Sequence, residues 1–212
     1  MEPDPKQTQH TRNRYNAFST IYDLMEWPIE QFLYRPWRTK LWDQVKGPKV
    51  LEIGIGTGKN ISYHPKDISI TGIDLSPKML QHARKYAGQS HVENLDLLEM
   101  DAQQLTFPDN TFDDTVATFA FCSVPDPVLG LQEALRVTKT GGHLFLLEHM
   151  RSKNSGLASL MKMLDAPIHY LMGVHIARKT VENVEKAGWH IDNVEELTAG
   201  GIFRMIKAVK KT

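Results

Sequence analysis

Short apolar runs alternate with amphipathic segments through the middle of the chain, from residue 49 to residue 148. The apolar runs predict buried strands, and the segments between them carry apolar residues at helical spacing. The five predicted strands lie at 49–53, 69–74, 95–100, 115–121 and 143–148. Strands that alternate with helices favour βαβ units and therefore a mostly parallel sheet.

Proline and glycine mark the ends of two of the intervening helices. Ser76-Pro77 and Asp126-Pro127 each predict a helix start, because proline is favoured at the first helical position. Gly141-Gly142 predicts the end of the second helix, since glycine commonly follows the last helical turn.

The last part of the chain changes from this alternation to a different pattern. A helix is predicted over 179–187 and is expected to end before Gly188. Two alternating runs, 189–197 and 202–209, flank the turn residues Ala199-Gly200-Gly201 and predict a closing antiparallel hairpin. Five strands and a hairpin predict an α/β fold: a Rossmann-like, mostly parallel seven-stranded sheet with helices on both faces.

Two further segments do not follow the strand pattern. Residues 15–42 hold eight aromatic side chains, and residues 157–172 place Leu, Ile and Met on one helical stripe. Both are predicted to be helical. They either cover a ligand site and touch lipid, or pack on the sheet as core.

Composition and charge exclude several classes of protein. Among 212 residues, 25 Lys and Arg balance 25 Asp and Glu, whereas a dedicated nucleic-acid binder normally carries excess positive charge. A single cysteine, Cys122, excludes an intrachain disulfide and a four-cysteine zinc site. No secretory signal or membrane-spanning segment is recognised. A cytoplasmic protein is expected, with contact at a membrane surface left open.

The strongest chemical signal is the sequence EIGIGTG at 52–58, which begins within the first predicted strand. Its three glycines, Gly54, Gly56 and Gly58, permit positive φ and let a ligand lie against the main chain. A tight turn without a ligand is the less favoured interpretation. We expect a ligand-binding turn, followed by a helix that begins near Lys59.

Acidic residues around this turn indicate the class of ligand. Glu52 would repel a pyrophosphate but can bind a cationic amino-acid group. Asp74 ends the second strand, where a carboxylate can accept hydrogen bonds from ribose hydroxyls, and Asp101 follows the third, where it can accept from an adenine amine. Lys59 stands where a dinucleotide fingerprint has its third glycine, which disfavours a nicotinamide dehydrogenase. The expected ligand is an adenosine that carries positive charge and no phosphate.

These residues resemble the first three motifs of class I S-adenosylmethionine-dependent methyltransferases. The matching stretches are EIGIGTG at 52–58, GIDLS at 72–76 and MDA at 100–102. FDD at 112–114 and CSVPDP at 122–127 are similar to the ubiquinone/menaquinone methyltransferase branch. The resemblance covers most of the chain and implies S-adenosylmethionine as the cofactor, with no metal.

The resemblance also implies which residues bind the cofactor. The glycines would pass under its methionine and ribose, Asp74 would hold the ribose hydroxyls, and Thr118 would face the methionine. Tyr22 would lie on a helix that closes over the site. The full set is Tyr22, Glu52, Gly54, Gly56, Gly58, Asp74, Leu75, Met79, Asp101, Ala102 and Thr118.

Domain boundaries follow from the same resemblance and from the aromatic and apolar segments. One methyltransferase domain is expected over 15–212, after a flexible tail at 1–14. Within the domain, 15–45 is expected to form a helical lid. Residues 152–176 are expected to form a helical insertion near the acceptor pocket.

Methyl transfer from a sulfonium needs in-line positioning and exclusion of water rather than a catalytic triad. His149, after the fifth strand, is the candidate base for an amine, phenol or thiol; the alternative is that it only caps the strand. Tyr22 is the second catalytic candidate. Arg151, His175 and Arg178 are candidates for binding an anionic part of the acceptor.

Three stretches bear on the acceptor: LEHMRS at 147–152, LDAP at 164–167 and GVHIAR at 173–178. They are similar to bacterial phosphatidylethanolamine N-methyltransferases and to membrane-associated thiol methyltransferases of animals. The resemblance favours an amphipathic acceptor, with a phospholipid amine first. The alternatives are a quinone precursor methylated at carbon, a small hydrophobic thiol or phenol, and, in a different class, a non-catalytic S-adenosylmethionine-binding regulator.

Overall fold

In the computed structural model, a seven-stranded sheet forms the centre of the molecule. The structure describes the backbone of residues 2–90 and 92–212, and within these the side chains of all residues except 18–29, 31, 32, 171 and 172. The strands are β1 Lys49–Ile53, β2 Ser69–Asp74, β3 Leu95–Glu99, β4 Phe112–Thr118, β5 Thr138–His149, β6 His190–Glu196 and β7 Phe203–Val209.

The strand order across the sheet is β3-β2-β1-β4-β5-β7-β6. Strands β1 to β5 pair in parallel, and β7 runs antiparallel to both β5 and β6. Leu51 of β1 lies opposite Thr71 of β2 and Thr115 of β4. The predicted α/β class, the mostly parallel sheet and the closing hairpin are therefore confirmed.

The described helices are α1 Pro5–Ile29, α2 Arg35–Trp42, α3 Pro77–Gln89, α4 Pro127–Val137, α5 Ser155–Met172 and α6 Thr180–Lys186. A π-helical turn, Glu30–Tyr34, joins α1 to α2. Ser76 caps α3 through its hydroxyl, which accepts the Met79 N–H, and the Asp126 carboxylate caps α4. Such caps each contribute about 1 kcal/mol.

Alternate residues of the central strands face two separate hydrophobic clusters. Leu51 of β1 and Leu144 of β5 pack with buried residues of α4 and α6, whereas Val50 and Phe145 pack with Leu41 of α2. Because successive strand residues point to opposite faces, both faces of the sheet are buried under helices. Among the described residues, no helix combines the length and the apolarity needed to cross a bilayer.

The N-terminal segment differs from the flexible tail expected at 1–14, because α1 already begins at Pro5. Asp4 starts the helix, since its Oδ1 accepts the Lys6 N–H and its carbonyl oxygen accepts the Thr8 N–H. Thr8 then donates to Asp101 Oδ2 at 3.0 Å, which ties the helix to the sheet. Because these contacts are polar, the pattern of apolar residues did not predict this part of the helix.

Three boundaries predicted from local patterns also differ. Helix α4 ends at Val137 and β5 starts at Thr138, so Gly141 and Gly142 lie inside the strand. A Cβ on Gly142 would lie 2.1 Å from the Asp113 carbonyl oxygen, so this glycine permits close strand packing and does not end the helix. A short 3₁₀ turn, Ile61–Tyr63, stands where a helix was expected near Lys59, since Pro65 disfavours helix at the preceding residue. The fourth strand ends at Thr118, before the positive φ of Phe119.

Candidate cofactor and acceptor site

A cavity, partly open to solvent, lies at the carboxyl ends of the first four strands. The chain leaves β1 for β2 on one side and returns to β4 on the other, so this is a switch point, where ligands bind in open α/β sheets. Eight of the residues expected at the cofactor site line the cavity: Gly54, Gly56, Asp74, Leu75, Met79, Asp101, Ala102 and Thr118.

The turn after β1 brings the main chain to the cavity wall. The N–H groups of Gly54 and Ile55 both donate to the Ile73 carbonyl oxygen, which fixes the turn against β2. A Cβ on Gly54 would lie 2.5 Å from Ala120 Cβ, whereas one on Gly56 would meet nothing nearer than 4.0 Å. Gly54 is therefore required for packing, and Gly56 leaves room for a ligand against the backbone.

Asp74 lies at the end of β2 and is held by two backbone donors. The Gly56 N–H donates to its Oδ2 at 3.0 Å, and the Ser76 N–H donates to its Oδ1 at 2.8 Å. Burial raises the pKa of Asp74 to about 6, although the two backbone hydrogen bonds act in the opposite direction. Each oxygen has lone-pair capacity left, so the carboxylate can accept ribose hydroxyls.

Asp101 and helix α1 form the wall beside Asp74. The Asp101 carboxylate accepts hydrogen bonds from the backbone N–H of Gln103 at 2.9 Å, from the side-chain amide of Gln103, and from the Thr8 hydroxyl. Thr11 and Tyr15 of α1 also line the cavity. The N-terminal helix therefore forms part of the site. Tyr22 is on the same helix, but its side chain lies outside the described residues.

Two residues of the expected cofactor set do not reach the cavity wall. Glu52 is only 1% exposed and accepts hydrogen bonds from Asn60 Nδ2 at 2.6 Å and from His64 Nε2 at 2.8 Å. Gly58 packs against α3, where a Cβ would lie 3.1 Å from Ala83 Cα. Glu52 therefore does not face the cavity and instead holds the side chains of Asn60 and His64.

Two charged residues that the sequence did not single out shape the site. Arg38 of α2 lines the cavity although it is only 4% exposed. Glu148 of β5 is fully buried, and its Oε1 accepts the N–H groups of Ala120 and Phe121, both at 2.9 Å, which holds the loop after β4. Burial raises the pKa of Glu148 to about 7. Arg38 lies in no motif recognised above. Glu148 lies within LEHMRS at 147–152, but nothing in that stretch indicates that its partners are the N–H groups of Ala120 and Phe121.

His149 ends β5 on the β4 side of the site and does not line the cavity. Its ring centroid lies 5.7 Å from that of Phe203. Burial lowers the pKa of His149, and the neighbouring charge of Asp165 acts in the opposite direction. The imidazole is therefore neutral at neutral pH and can accept a proton.

The three residues expected to bind the acceptor lie along one side of the loop at 122–125. Arg178 Nη2 donates to the Val124 carbonyl oxygen at 2.8 Å, and the Arg178 carbonyl oxygen accepts the Arg151 N–H. The backbone N–H of His175 donates to the Cys122 carbonyl oxygen, and the imidazole Nδ1 of His175 lies 2.8 Å from Asp165 Oδ2. Val124 lines the cavity, so this group stands directly behind the cavity wall.

The fold and cavity define a Rossmann-like protein whose pocket, at the switch point of the sheet, suits an adenosine cofactor. A family model described as a methyltransferase domain matches residues 51–146. A phosphatidylethanolamine N-methyltransferase of Cereibacter sphaeroides is 34% identical over 190 residues, covering 88% of this chain and 91% of the relative. The chain belongs to the S-adenosylmethionine-dependent methyltransferases, and S-adenosylmethionine is its cofactor.

Other relatives share the domain but differ in name. A ubiquinone/menaquinone biosynthesis C-methyltransferase of Ruegeria sp. is 31% identical over 183 residues, covering 82% of this chain and 73% of the relative. A solved S-adenosylmethionine-dependent methyltransferase of Thermotoga maritima superposes with a TM-score of 0.72 at 22% identity, covering 95% of this chain and 100% of the other. The latter supports the fold alone.

Proposed function

We propose that the protein transfers methyl groups from S-adenosylmethionine to the amine of a phospholipid, with phosphatidylethanolamine as the first acceptor. The observation that carries this proposal is the exposed apolar face of α5, next to the wall that holds His175 and Arg178. The 34% identity with a relative named for this reaction supports it.

Helix α5 exposes a group of large apolar side chains. Among the described side chains, four of the seven exposed large hydrophobic residues lie on α5: Leu160, Met163, Leu164 and Tyr170. Met163 is 67% exposed and Tyr170 78%. Their spacing places them on one face of the helix. An apolar helix face of this kind lies readily at a lipid interface.

The charge around this face suits an anionic head group. Residues 151–179 contain five Lys or Arg and one Asp. Within the described part of the chain, Arg178 Nε is buried without a hydrogen-bond partner. Burial lowers the pKa of this guanidinium. A phosphate oxygen would satisfy such a donor, since arginine binds phosphate through paired N–H groups. We assign phosphate binding to Arg178, with Arg151 and His175 beside it.

The reaction needs a group that accepts a proton, and we propose His149 for this role. A lipid ammonium must lose one proton before its nitrogen can attack. The nitrogen lone pair then forms the new N–C bond as the S–C bond to the sulfonium breaks. His149 ends β5 and does not line the cofactor cavity, so in this proposal it accepts the proton from the acceptor side. Its lowered pKa keeps it neutral and able to do so. An unchanged pH–rate profile in His149→Gln would remove this role.

In the test, the purified protein is incubated with methyl-labelled S-adenosylmethionine and with each of three acceptors in turn. These are vesicles that contain phosphatidylethanolamine, a demethylated quinone precursor, and a hydrophobic thiol. We expect label in the phospholipid, recovered as the mono- and dimethylated amine. Label in the quinone or the thiol instead would assign the reaction to carbon or sulfur and reject the lipid amine.

A fourth outcome would favour the alternative that the protein binds S-adenosylmethionine without catalysing a reaction. If the protein binds the cofactor but labels none of the three acceptors, the lipid-amine proposal fails. A non-catalytic cofactor-binding regulator then becomes the favoured function.

A further inference from the structure

The cavity has two chemically different ends, because its walls follow different strands. Asp74 and Asp101 follow β2 and β3, on one side of β1, whereas Thr118 ends β4, on the other side. Carboxylates beside apolar side chains suit the adenosine part of the cofactor. Its amino-acid part, which carries an α-carboxylate, would then extend towards Thr118.

Arg38 is a buried cation at the Thr118 end of the cavity. Its Nη1 donates to Thr118 Oγ1 at 2.9 Å and to Asn60 Oδ1 at 2.7 Å. Its Nε and Nη2 donate to the two carboxylate oxygens of Glu30, at 2.9 Å and 3.1 Å. Arg38 is therefore held from both sides, and its guanidinium has a fixed position at the cavity wall.

Glu52 fixes the amide that faces Arg38. Asn60 Nδ2 donates to Glu52 Oε1 at 2.6 Å and to Thr118 Oγ1 at 2.9 Å, so Asn60 Oδ1 is left to accept from Arg38. This explains why an acid of the glycine motif is buried beneath the site. Glu52 acts on the cavity through Asn60.

A count of hydrogen-bond donors shows what this group still offers. A guanidinium has five N–H groups, and the four bonds described above leave one on Arg38. Thr118 Oγ1 accepts two hydrogen bonds, so its own hydrogen remains to be donated. Within the described part of the chain, neither donor has another partner. Two neighbouring donors, one of them cationic, suit a carboxylate.

We propose that Arg38 and Thr118 bind the α-carboxylate of S-adenosylmethionine, with Glu30, Asn60 and Glu52 as positioning residues. Lys59 also lines the cavity and is the competing cation. The assignment depends on the cofactor and not on the acceptor. It gives the segment before β1 a part in selecting ligands that carry the amino-acid group.

The test compares two ligands by calorimetry. S-adenosylhomocysteine carries the α-carboxylate, and 5′-methylthioadenosine shares the adenosine and sulfur but lacks the amino-acid part. We expect Glu30→Gln/Arg38→Gln to weaken S-adenosylhomocysteine roughly 10- to 100-fold, since a hydrogen-bonded charge pair is lost, and to leave methylthioadenosine within about twofold. The double variant avoids leaving the Glu30 carboxylate buried and unpaired.

Three variants complete the test. Arg35→Gln, at an exposed position on the same helix, should change neither affinity. Thr118→Val, which keeps the shape of the side chain, should weaken S-adenosylhomocysteine selectively, and this remains informative if the double variant does not fold. Equal losses for both ligands would assign Arg38 a structural role only. A selective loss in Lys59→Met but not at Arg38 would also overturn the proposal.

Discussion

Asp74 lines the cavity, but its carboxylate is largely shielded from solvent. Burial raises its pKa to about 6, and the backbone donors of Gly56 and Ser76 oppose this without cancelling it. The group is protonated below about pH 6 and ionised above it. Only the ionised form accepts ribose hydroxyls at both oxygens.

The affinity for S-adenosylhomocysteine should therefore fall as pH decreases from about 8 to about 5, because protonation of Asp74 competes with ligand binding. The bound ligand favours the ionised form, so the midpoint should lie at or below about pH 6. Asp74→Asn should bind roughly tenfold more weakly at high pH and lose this dependence.

The control for this pH dependence is Asp67→Asn, which removes an exposed carboxylate before β2. It should follow the wild-type curve. Parallel pH dependence in wild type and Asp74→Asn would show that another group controls cofactor affinity.

At the residue scale, local sequence located the residues whose position is set by strand ends and glycine. Gly54, Gly56, Asp74, Asp101 and Thr118 all line the cavity, and their binding to the cofactor stays a prediction. Arg38 and Glu148 could not be found in this way, because their partners lie far along the chain. Arg38 contacts Thr118, 80 residues away, and Glu148 contacts Ala120, 28 residues away.

Two helices at the element scale connect the cofactor side to the proposed acceptor side. Arg14 of α1 donates to the carbonyl oxygens of His169 and Tyr170, at 2.7 Å and 2.9 Å, at the end of α5. A cation at a helix C-terminus is stabilising, since the last carbonyls lack helical partners. Helix α1 also contributes Thr11 to the cavity wall, so it contacts both sides of the site.

The apolar face of α5 should mediate binding to vesicles. Leu160→Gln/Met163→Gln should weaken partitioning into anionic vesicles by roughly tenfold or more, because two apolar side chains no longer enter the lipid. Methylation of a short-chain, water-soluble phosphatidylethanolamine should be unchanged. Sedimentation with vesicles and a parallel activity assay measure the two effects.

Tyr86→Gln serves as the matched control, since Tyr86 is an exposed apolar side chain on α3. It should partition like wild type. If the α5 double variant does so as well, this face does not contact lipid, and its apolar residues need another explanation.

At the element scale, the sequence predicted each strand of the sheet but not the start of α1. The inner strands β1, β2, β4 and β5 were recognisable because burial on two faces favours continuous apolar runs, and the closing hairpin was recognisable from its alternating runs. The first turns of α1 are polar, and they are fixed by contacts such as Thr8 with Asp101, 93 residues apart. Contacts of this kind carry no periodic signal.

For the whole molecule, one topological feature accounts for the location of the site. The strand order reverses between β1 and β4, which leaves a crevice beyond the carboxyl ends of these paired strands, where the glycine turn, Asp74 and Thr118 lie. The antiparallel strands β7 and β6 follow β5 at one edge of the sheet. Sequence identity with the relatives shows the family, whereas we propose that α5 and the segments around it bind the acceptor.

The most direct test is mass spectrometry of phosphatidylethanolamine vesicles incubated with purified protein and S-adenosylmethionine. We predict that the phospholipid gains the mass of one methyl substitution and then of further ones, confined to the head group. The same vesicles incubated without the cofactor should remain unchanged. An unmodified phospholipid, with cofactor binding demonstrated in the same sample, would contradict the proposed reaction.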